Sequence, residues 1–421
     1  MSMPKIRTAL RSLLPARLIS LYHLAFAYAG ALLYGFPSRK LLVIAVTGTK
    51  GKSSTVECAN AILEAAGYRT ALINSIRFKT ADTSVPNALG RSTPGRFFIQ
   101  RFLRDALKKG CTAAILEMTS EGARQHRHRA IAFDALIFTN LAPEHIESHG
   151  SLEAYKDAKF EIGAALARSA KRPRIVVAHA DDAESARYLD LPVEKKSAFS
   201  LDSAAPYEAG EKGGFFTLEG ARIPICLPGE FSLKNALAAA VCARALGVDL
   251  SAIERGLGAL RRIPGRAESI DLGQDFLVVV DYAHTPESHE ALYKAYDSRK
   301  KICVFGSAGG GRDTWKRPVI GTIAERYCAH TILCDDEVYD EDPERIIDAI
   351  ASGMSKPPDI IRDRRRAIRR ALELAKKGDA VLITGMGVHG MMMQPDGRTE
   401  EWSDVDVARE ELGNLLKTRA L

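Results

Sequence analysis

Residues 41–67 read LLVIAVTGTKGKSSTVECANAILEAAG. Residues 41–46 form an almost unbroken apolar run with β-branched members, the pattern of a strand buried on both faces of a parallel sheet. Residues 47–52 then bring two glycines into a tight turn. After them Val56, Ala59, Leu63 and Ala66 recur at helical spacing, and Gly67 stands where a helix end favours glycine. Strand, glycine turn and helix start together aim free backbone N–H groups and the positive end of a helix dipole at a phosphate. In such a loop the backbone of Gly48, Thr49, Lys50 and Gly51 lines the phosphate chain and Lys52 reaches the β- and γ-phosphates. The hydroxyl of Ser53 or Ser54 is then placed to ligate Mg²⁺. The full nucleotide loop would start from a glycine at position 46, where this chain has Val46. What remains is the shortened form G-T-x-G-K-S, from Gly48 to Ser53.

The chain has 421 residues, room for two or three domains. Hydrophobic residues make up 46% and charged residues 26%, the proportions of a soluble globular protein rather than a disordered or membrane-embedded one. The seven cysteines (58, 111, 226, 242, 303, 328 and 334) form no C-x-x-C pair and sit in apolar runs. That predicts reduced, buried thiols and argues against a disulfide frame or a zinc site. The formal charge is +7, but residues 1–40 hold six basic residues and no acidic one, which leaves +1 for the rest. A near-neutral body gives no electrostatic footprint for nucleic acid.

Residues 1–40 therefore form a segment of their own: basic at both ends, with the apolar window LISLYHLAFAYAGALLYGF at 18–36 between. Its 19 residues are just long enough to cross a bilayer. Ala27-Tyr28-Ala29 resembles a signal-peptide cleavage site, but an ATP-using enzyme exported from the cytoplasm would find no ATP. Two readings stay open: an anchor at or in the membrane, whose basic flanks suit anionic lipid, and a hydrophobic helix docked on the protein's own body.

From residue 41 strands and helices alternate. Strands are predicted at 113–116, ending at Glu117, and at 135–139, ending at Asn140. A helix is expected over 152–167, a strand over 174–178 and an alanine-rich helix over 234–246. A boundary falls near Ile263-Pro264-Gly265. Beyond it a second set begins, with strands at 276–280, 302–305, 331–334 and 380–383. This is α/β patterning with polar residues gathered at strand ends, where open sheets bind ligands. Residues 362–370, RDRRRAIRR, read as a charged, solvated helix face, with contact to an anionic substrate as the alternative.

Four polar clusters follow the phosphate loop. Glu117-Met118-Thr119-Ser120 puts a carboxylate at a strand end, suited to Mg²⁺. Residues 140–145, NLAPEH, end in His145. Lys159 sits within the helical stretch 154–163. Residues 281–286, DYAHTP, directly follow a predicted strand.

Together with STPG (92–95), EMTSEG, FTNLAPEHIESHG, EAYKDAKFEI, LPGEFSLKNALAA, IPGRAE, VVDYAHTPES and GGGRDTWKRP, these segments resemble the Mur ligase family in content and order, from about residue 41 to the C-terminus. The nearest branch is similar to the ligases that add the third amino acid to the peptidoglycan precursor. The folylpolyglutamate synthetases share the architecture. The resemblance implies a central phosphate-loop ATPase domain with a mostly parallel sheet at 41–262 and a Rossmann-like α/β ligase domain at 263–421. It implies ATP-dependent, ADP-forming amide synthesis through an acyl phosphate. By the same resemblance Lys52 and the loop backbone cradle phosphate, and Ser53 and Glu117 hold one Mg²⁺. His145 would ligate a second metal, and Lys159 would support that metal as a carbamate. Asn235, Arg266, Asp281 and His284 match nucleotide-contacting positions. Ser92, Thr93, Ser120, Gln125 and Arg127 match residues that hold the nucleotide-sugar peptide.

Departures from the family pattern concern donor and acceptor. Against the resemblance, residues 1–40 stand where the family usually has its uridine-gripping domain, so whether the acceptor is UDP-linked, lipid-linked or another small molecule stays open. The amino-acid-selecting segment, Asp-Asn-Pro-Arg in diaminopimelate-adding relatives, reads Asp336-Glu337-Val338-Tyr339, and the later G-K-G-H-E reads Gly385-Met386-Gly387-Val388-His389. Arg312 remains to hold an α-carboxylate, with Asp336 and Tyr339 beside the incoming amino acid. Alternative readings are a folate-type polyglutamate ligase and a membrane-tethered ATP-binding regulator. The expected location is the cytoplasm, with the inner membrane face open to the anchor reading.

Overall fold

The computed structural model describes residues 15–144, 146–388, 391–393 and 398–419. Within these the chain forms two compact units. The first takes in residues up to 142, 152–200 and 238–253; the second takes in 143–151, 201–237 and the residues from 254 onward.

The first unit is built on eight strands: β1 (Leu42–Thr47), β2 (Thr70–Ile73), β3 (Arg77–Thr80), β4 (Thr83–Pro86), β5 (Ala113–Glu117), β6 (Ala135–Phe138), β7 (Ile175–His179) and β8 (Lys195–Phe199). Their order is β4-β3-β2-β5-β1-β6-β7-β8. All neighbours are parallel except the β2–β3–β4 meander at one edge. The apolar run at 41–46 is thus the middle of the sheet. Every residue from Val43 to Thr47 is buried, because helices cover both faces of a parallel sheet. Register decides what reaches the loop after β1. Val46 lies beside Glu117 of β5, and Thr47 lies beside Phe138 of β6. The polar residues ending β5 and β6 therefore converge on the glycine turn, the crevice at strand carboxyl ends where such sheets bind ligands.

The second unit holds a three-stranded antiparallel sheet, β9 (Glu208–Gly210), β10 (Gly213–Leu218) and β11 (Ala221–Ile225), and a six-stranded sheet. The latter comprises β12 (Glu268–Ile270), β13 (Leu277–Asp281), β14 (Lys301–Phe305), β15 (His330–Leu333), β16 (Asp359–Ile360) and β17 (Ala380–Thr384), in the order β12-β13-β17-β14-β15-β16. Only β12 is antiparallel. Its strands split by alternation into two cores. Val278, Val280, Ile302, Val304, Val381 and Ile383 face one; Val279, Cys303, Phe305, Ala380 and Leu382 face the other. Both faces are dry, so these strands read as continuous apolar runs.

Two expectations change and one open choice narrows. Cys303 and Cys328 form a disulfide with a Cα–Cα distance of 6.1 Å, against the reading of seven reduced thiols. It joins β14 to the end of the helix Lys316–Tyr327, and a separation of 25 residues across a strand–helix unit leaves no local spacing to recognise. The other five cysteines are free. Second, of the two readings left open for residues 1–40 the structure shows the docked helix, and no helix among the described residues is long and apolar enough to cross a membrane. The apolar window 18–36 forms the helix Ala16–Leu33, which lies along the helix Arg96–Lys108 with Ala27 and Ala31 buried and Phe97 against Gly30. Third, the arginine run is not a bare solvated face. In the helix Arg364–Leu374, Arg364 is 3% exposed and grips Asp404 with Nε at 2.8 Å and Nη2 at 2.7 Å. Arg365 and Arg369 reach Glu411.

This arrangement gives a stability prediction. Arg364→Ala strands a fully buried carboxylate, and breaking a buried pair from one side costs about 3–5 kcal/mol. Arg370→Ala, on the same helix, removes only the half-exposed pair with Glu373 and is expected to cost about 1 kcal/mol or less. Urea unfolding of both variants checks the contrast; equal losses would mean that burial of Asp404 is not what holds this corner.

Candidate active site

The helix Lys52–Ala65 starts directly from the turn, with Gly51 at its N-cap in the left-handed region (φ 81°). Gly48 also has positive φ (145°), and a Cβ there would stand 2.0 Å from Thr139 Oγ1, so only glycine lets β1 pass so close to the end of β6. Asn140 fixes the loop: its Oδ1 accepts from Lys50 N at 2.9 Å, and its backbone carbonyl accepts from Thr49 N at 2.9 Å. Thr49 Oγ1 bonds Tyr155 Oη at 2.9 Å.

Lys52 folds back over the turn, with Nζ donating to Gly48 O at 3.1 Å and to Thr49 O at 2.8 Å. Lys159, 2% exposed in the helix Leu152–Ala167, donates to the same Gly48 O at 2.6 Å, its Nζ 4.6 Å over the Tyr155 ring. Ser53 Oγ donates to Glu117 Oε2 at 2.7 Å, and Ser75 N reaches that carboxylate oxygen at 3.1 Å. Glu117 is 2% exposed. A buried carboxylate bonded to the hydroxyl at a helix start is the hard oxygen donor set Mg²⁺ takes, so these residues fit that ion. Among the described residues no group of three or more His, Cys, Asp or Glu gathers for a metal. His145 lies outside the described residues.

A second cluster hangs from the end of β5. Thr93 Oγ1 donates to Glu117 O and accepts from Thr119 N, both at 2.9 Å. Buried Arg127 holds Thr93 O and donates through Nη2 to Gln125 Oε1 at 2.7 Å. Burial, with Arg91 and Arg96 adding like charge, lowers its pKa to about 10. Ser120 is buried beside it and Ser92 half-buried. Positive charge crowded at a strand end suits an anionic ligand.

In the second unit Asp281 ends β13, its carboxylate accepting from Ala267 N and Ala283 N at 2.6 Å each. Burial raises its pKa against the opposing pull of Arg266. The Arg266 guanidinium lies 4.5 Å over the Tyr282 ring. His284 turns Nδ1 to Tyr282 O and Nε2 to Glu144 Oε1, both at 2.8 Å. Asn235, on the helix Gly229–Ala245, is 9% exposed. Arg312 stacks 4.3 Å over Tyr339, donates to its hydroxyl at 2.9 Å and stands 3.9 Å from Glu337. Asp336 accepts from Glu337 N at 2.7 Å, close under Gly385.

The structure thus brings Lys52, Ser53, Glu117 and Lys159 around one loop. Thr93, Ser120, Gln125 and Arg127 gather beside them. Arg266, Asp281 and His284 form one cluster of the second unit; Arg312, Asp336 and Tyr339 form another. Sequence reading passed over Ser75, Tyr155 as the Thr49 partner, and Glu144 as the His284 partner. Ser75 follows a strand of only four residues, and a lone polar residue there carries no spacing signal.

A shortened phosphate loop at the head of a central parallel strand, with a carboxylate and two lysines focused on it, defines a nucleotide-binding α/β protein. The chain belongs to the Mur ligase family. The profile of the Mur ligase middle domain matches residues 46–243, and that of the Mur ligase glutamate ligase domain matches residues 265–387. A UDP-N-acetylmuramyl-tripeptide synthetase of Roseiflexus sp. (strain RS-1) is 36% identical over 95% of this chain and 84% of its own length. The solved structure of a UDP-N-acetylmuramoyl-L-alanyl-D-glutamate–2,6-diaminopimelate ligase is 29% identical, with a TM-score of 0.60, covering 89% of this chain and 79% of the other. A Mycobacterium tuberculosis folylpolyglutamate synthase bound to ADP shares the fold, with a TM-score of 0.69 at 17% identity over 93% of this chain and 94% of the other.

Proposed function

We propose that this ligase joins an amino acid to a muropeptide-like peptidoglycan precursor at the expense of ATP, forming ADP and phosphate. The observation that carries the reading is the Gly48–Ser53 turn with Lys52, Lys159, Ser53 and Glu117 focused on it, in a chain of the Mur ligase family. In the first step an acceptor carboxylate oxygen attacks the γ-phosphorus, and the bond to ADP breaks. In the second the neutral amine of the amino acid adds to the acyl carbon, the tetrahedral intermediate expels phosphate, and the amine proton leaves to solvent. Both steps crowd anions, so the chain's part is to neutralise and align them. Lys52 and the loop residues Gly48, Thr49, Lys50, Gly51, Ser53 and Ser54 are assigned to the phosphates. Ser53 and Glu117 would hold Mg²⁺, which supplies charge neutralisation between phosphates. His145 is assigned to a second Mg²⁺, with Lys159 supporting it as a carbamate.

Asn235, Arg266, Asp281 and His284 are assigned to the nucleotide. The peptide acceptor falls to Ser92, Thr93, Ser120, Gln125 and Arg127, and the amino acid to Arg312, Asp336 and Tyr339. Residues 41–262 and 263–421 are proposed as the two ligase domains, supported by the matches at 46–243 and 265–387. ATP as co-substrate places the reaction in the cytoplasm. The test is a mass-spectrometric screen of the purified protein with ATP, Mg²⁺, muropeptide nucleotides, folates and an amino-acid panel. Ligation to folate alone would hand the reading to the folylpolyglutamate relatives. ATP binding without any ligation would make the chain a regulator.

A specificity prediction follows from Tyr339. Diaminopimelate-adding relatives pair an arginine in this segment with the distal carboxylate, a bidentate contact that an aromatic ring cannot replace. Here the Tyr339 hydroxyl is already shared between Arg312 and Glu337. Lysine or a smaller amino acid is expected to be used at least as well as meso-diaminopimelate. The measurement is kcat/KM for each amino acid with one acceptor. A diaminopimelate preference of roughly a hundredfold, near 3 kcal/mol, would show that another residue supplies the clamp.

A further inference from the structure

The helix Ala16–Leu33 presents its side chains the wrong way round for a water-soluble surface. The face turned to the body is small or polar: Ala27, Gly30 and Ala31 pack on Arg96–Lys108, buried His23 meets Arg96, and Ser20 Oγ bonds His126 Nε2 at 2.7 Å. The face turned outward carries the large apolar residues. Leu18, Leu21, Tyr22, Phe26, Leu32 and Leu33 are all exposed, Leu32 by 72% and Leu33 by 68%. An ordinary surface helix buries its large residues and shows its polar ones. Here the outward positions form a continuous apolar stripe about 27 Å long, from 18 residues at 1.5 Å each. Contiguous apolar patches of that kind mark interaction surfaces.

Charge identifies the occupant. Residues 1–40 hold Lys5, Arg7, Arg11, Arg17, Arg39 and Lys40 and no acidic residue; Glu57 is the first. Arg17 in the first turn of the helix and the Arg39-Lys40 pair that follows it in sequence are exposed. Tyr22 and Tyr28 on the outward side are half-exposed, and tyrosines favour the boundary between headgroups and acyl chains. A second copy docking on the same stripe would bring two such cationic segments together and be repelled. An anionic bilayer surface complements both the stripe and its flanks.

We propose that residues 15–40 bind the protein to anionic lipid, with the helix Ala16–Leu33 lying in the plane of the interface. Its inward face stays on the body, so the helix embeds one side and does not span. This goes beyond the proposed reaction and does not depend on it, because the test reads lipid binding and not ligation.

The experiment is flotation of the full chain with two vesicle preparations: equimolar phosphatidylglycerol and phosphatidylcholine, and phosphatidylcholine alone. Binding is expected to the first and at least tenfold more weakly to the second, since each basic residue near an anionic surface contributes roughly a fivefold factor. The triple variant Leu21→Gln, Leu32→Gln, Leu33→Gln changes only positions that are 60% exposed or more, so its thermal unfolding should match the parent while vesicle binding falls at least tenfold. Arg39→Gln with Lys40→Gln should narrow the preference for anionic vesicles. Sedimentation velocity of parent and triple variant supplies the other arm. Absence of flotation, flotation unchanged in the triple variant, or a concentration-dependent dimer that the triple variant abolishes would each overturn the proposal, the last assigning the stripe to a second copy.

Discussion

Lys52→Ala is expected to lower ATP-driven ligation roughly a thousandfold while leaving the protein folded. Lys52 is the first residue of its helix, and its ammonium closes over the turn onto Gly48 O and Thr49 O. A polyphosphate entering the turn would exchange those two neutral acceptors for charged oxygens, and the ammonium would follow the charge as the γ-phosphoryl group transfers. Removing one such donor from a dry site costs about 3–4 kcal/mol of transition-state stabilisation. The folded state loses much less, because the contacts given up are hydrogen bonds to neutral carbonyls, worth about 1 kcal/mol each. Phosphate release under saturating ATP, measured beside thermal unfolding, separates the two effects. Turnover within tenfold of the parent would remove the turn from the reaction; a collapsed melting curve would make Lys52 a structural residue.

The stretch that made this turn readable also shows why other parts were not. Residues 41–67 carry three concordant signals in one window: an apolar run, two glycines and a helical period. The structure adds only a shift of one residue at the strand, now Leu42–Thr47. The later strands were readable for the same reason, since β13, β14 and β17 are buried on both faces and are apolar except for Asp281, Lys301 and Thr384 at their ends. The edge strands are different. β3 and β4, RFKT and TSVP, are half-buried or exposed, and β9–β11 have mixed burial, so no apolar run announces them. Convergence was hidden from the residue pattern, and only the family resemblance joined Ser53 to Glu117. That Glu117 would meet Ser53 follows from the Val46–Glu117 register, a pairing across 71 positions of sequence. The Arg364–Asp404 pair and the Cys303–Cys328 bridge are likewise products of packing. The arginine run looked solvated because the acidic helix that neutralises it lies 40 residues further on.

Lys159→Ala is expected to lower ligation by at least a hundredfold while nucleotide affinity stays within about threefold. The reason begins with an electrostatic oddity: Lys52 and Lys159 both donate to Gly48 O, at 3.1 and 2.6 Å. Two ammonium groups aimed at one carbonyl oxygen repel, and the repulsion grows as the site dries. Carboxylation of Lys159 would reverse the sign. Its neutral amine attacks carbon dioxide, an N–C bond forms, a proton leaves to solvent, and the product carries an anionic carboxylate where an ammonium stood. Lys52 would then face an opposite charge, and the cation site beside it would gain a hard oxygen ligand. Alanine removes that anion without touching the phosphate contacts of Lys52 or the loop backbone, which is why binding should survive when turnover does not. Two further measurements distinguish this from simple packing. Lys159→Met keeps the volume of the buried chain and should be as inactive as Lys159→Ala, whereas a packing role would restore it. Added acetate or formate should recover part of the alanine variant's activity by occupying the vacated space with a carboxylate. Isotope-labelled bicarbonate should give the parent protein a carbamate resonance that Lys159→Met lacks. Full activity in Lys159→Met, with no response to small carboxylates, would leave Lys159 as a packed helix residue and end its assignment to the reaction.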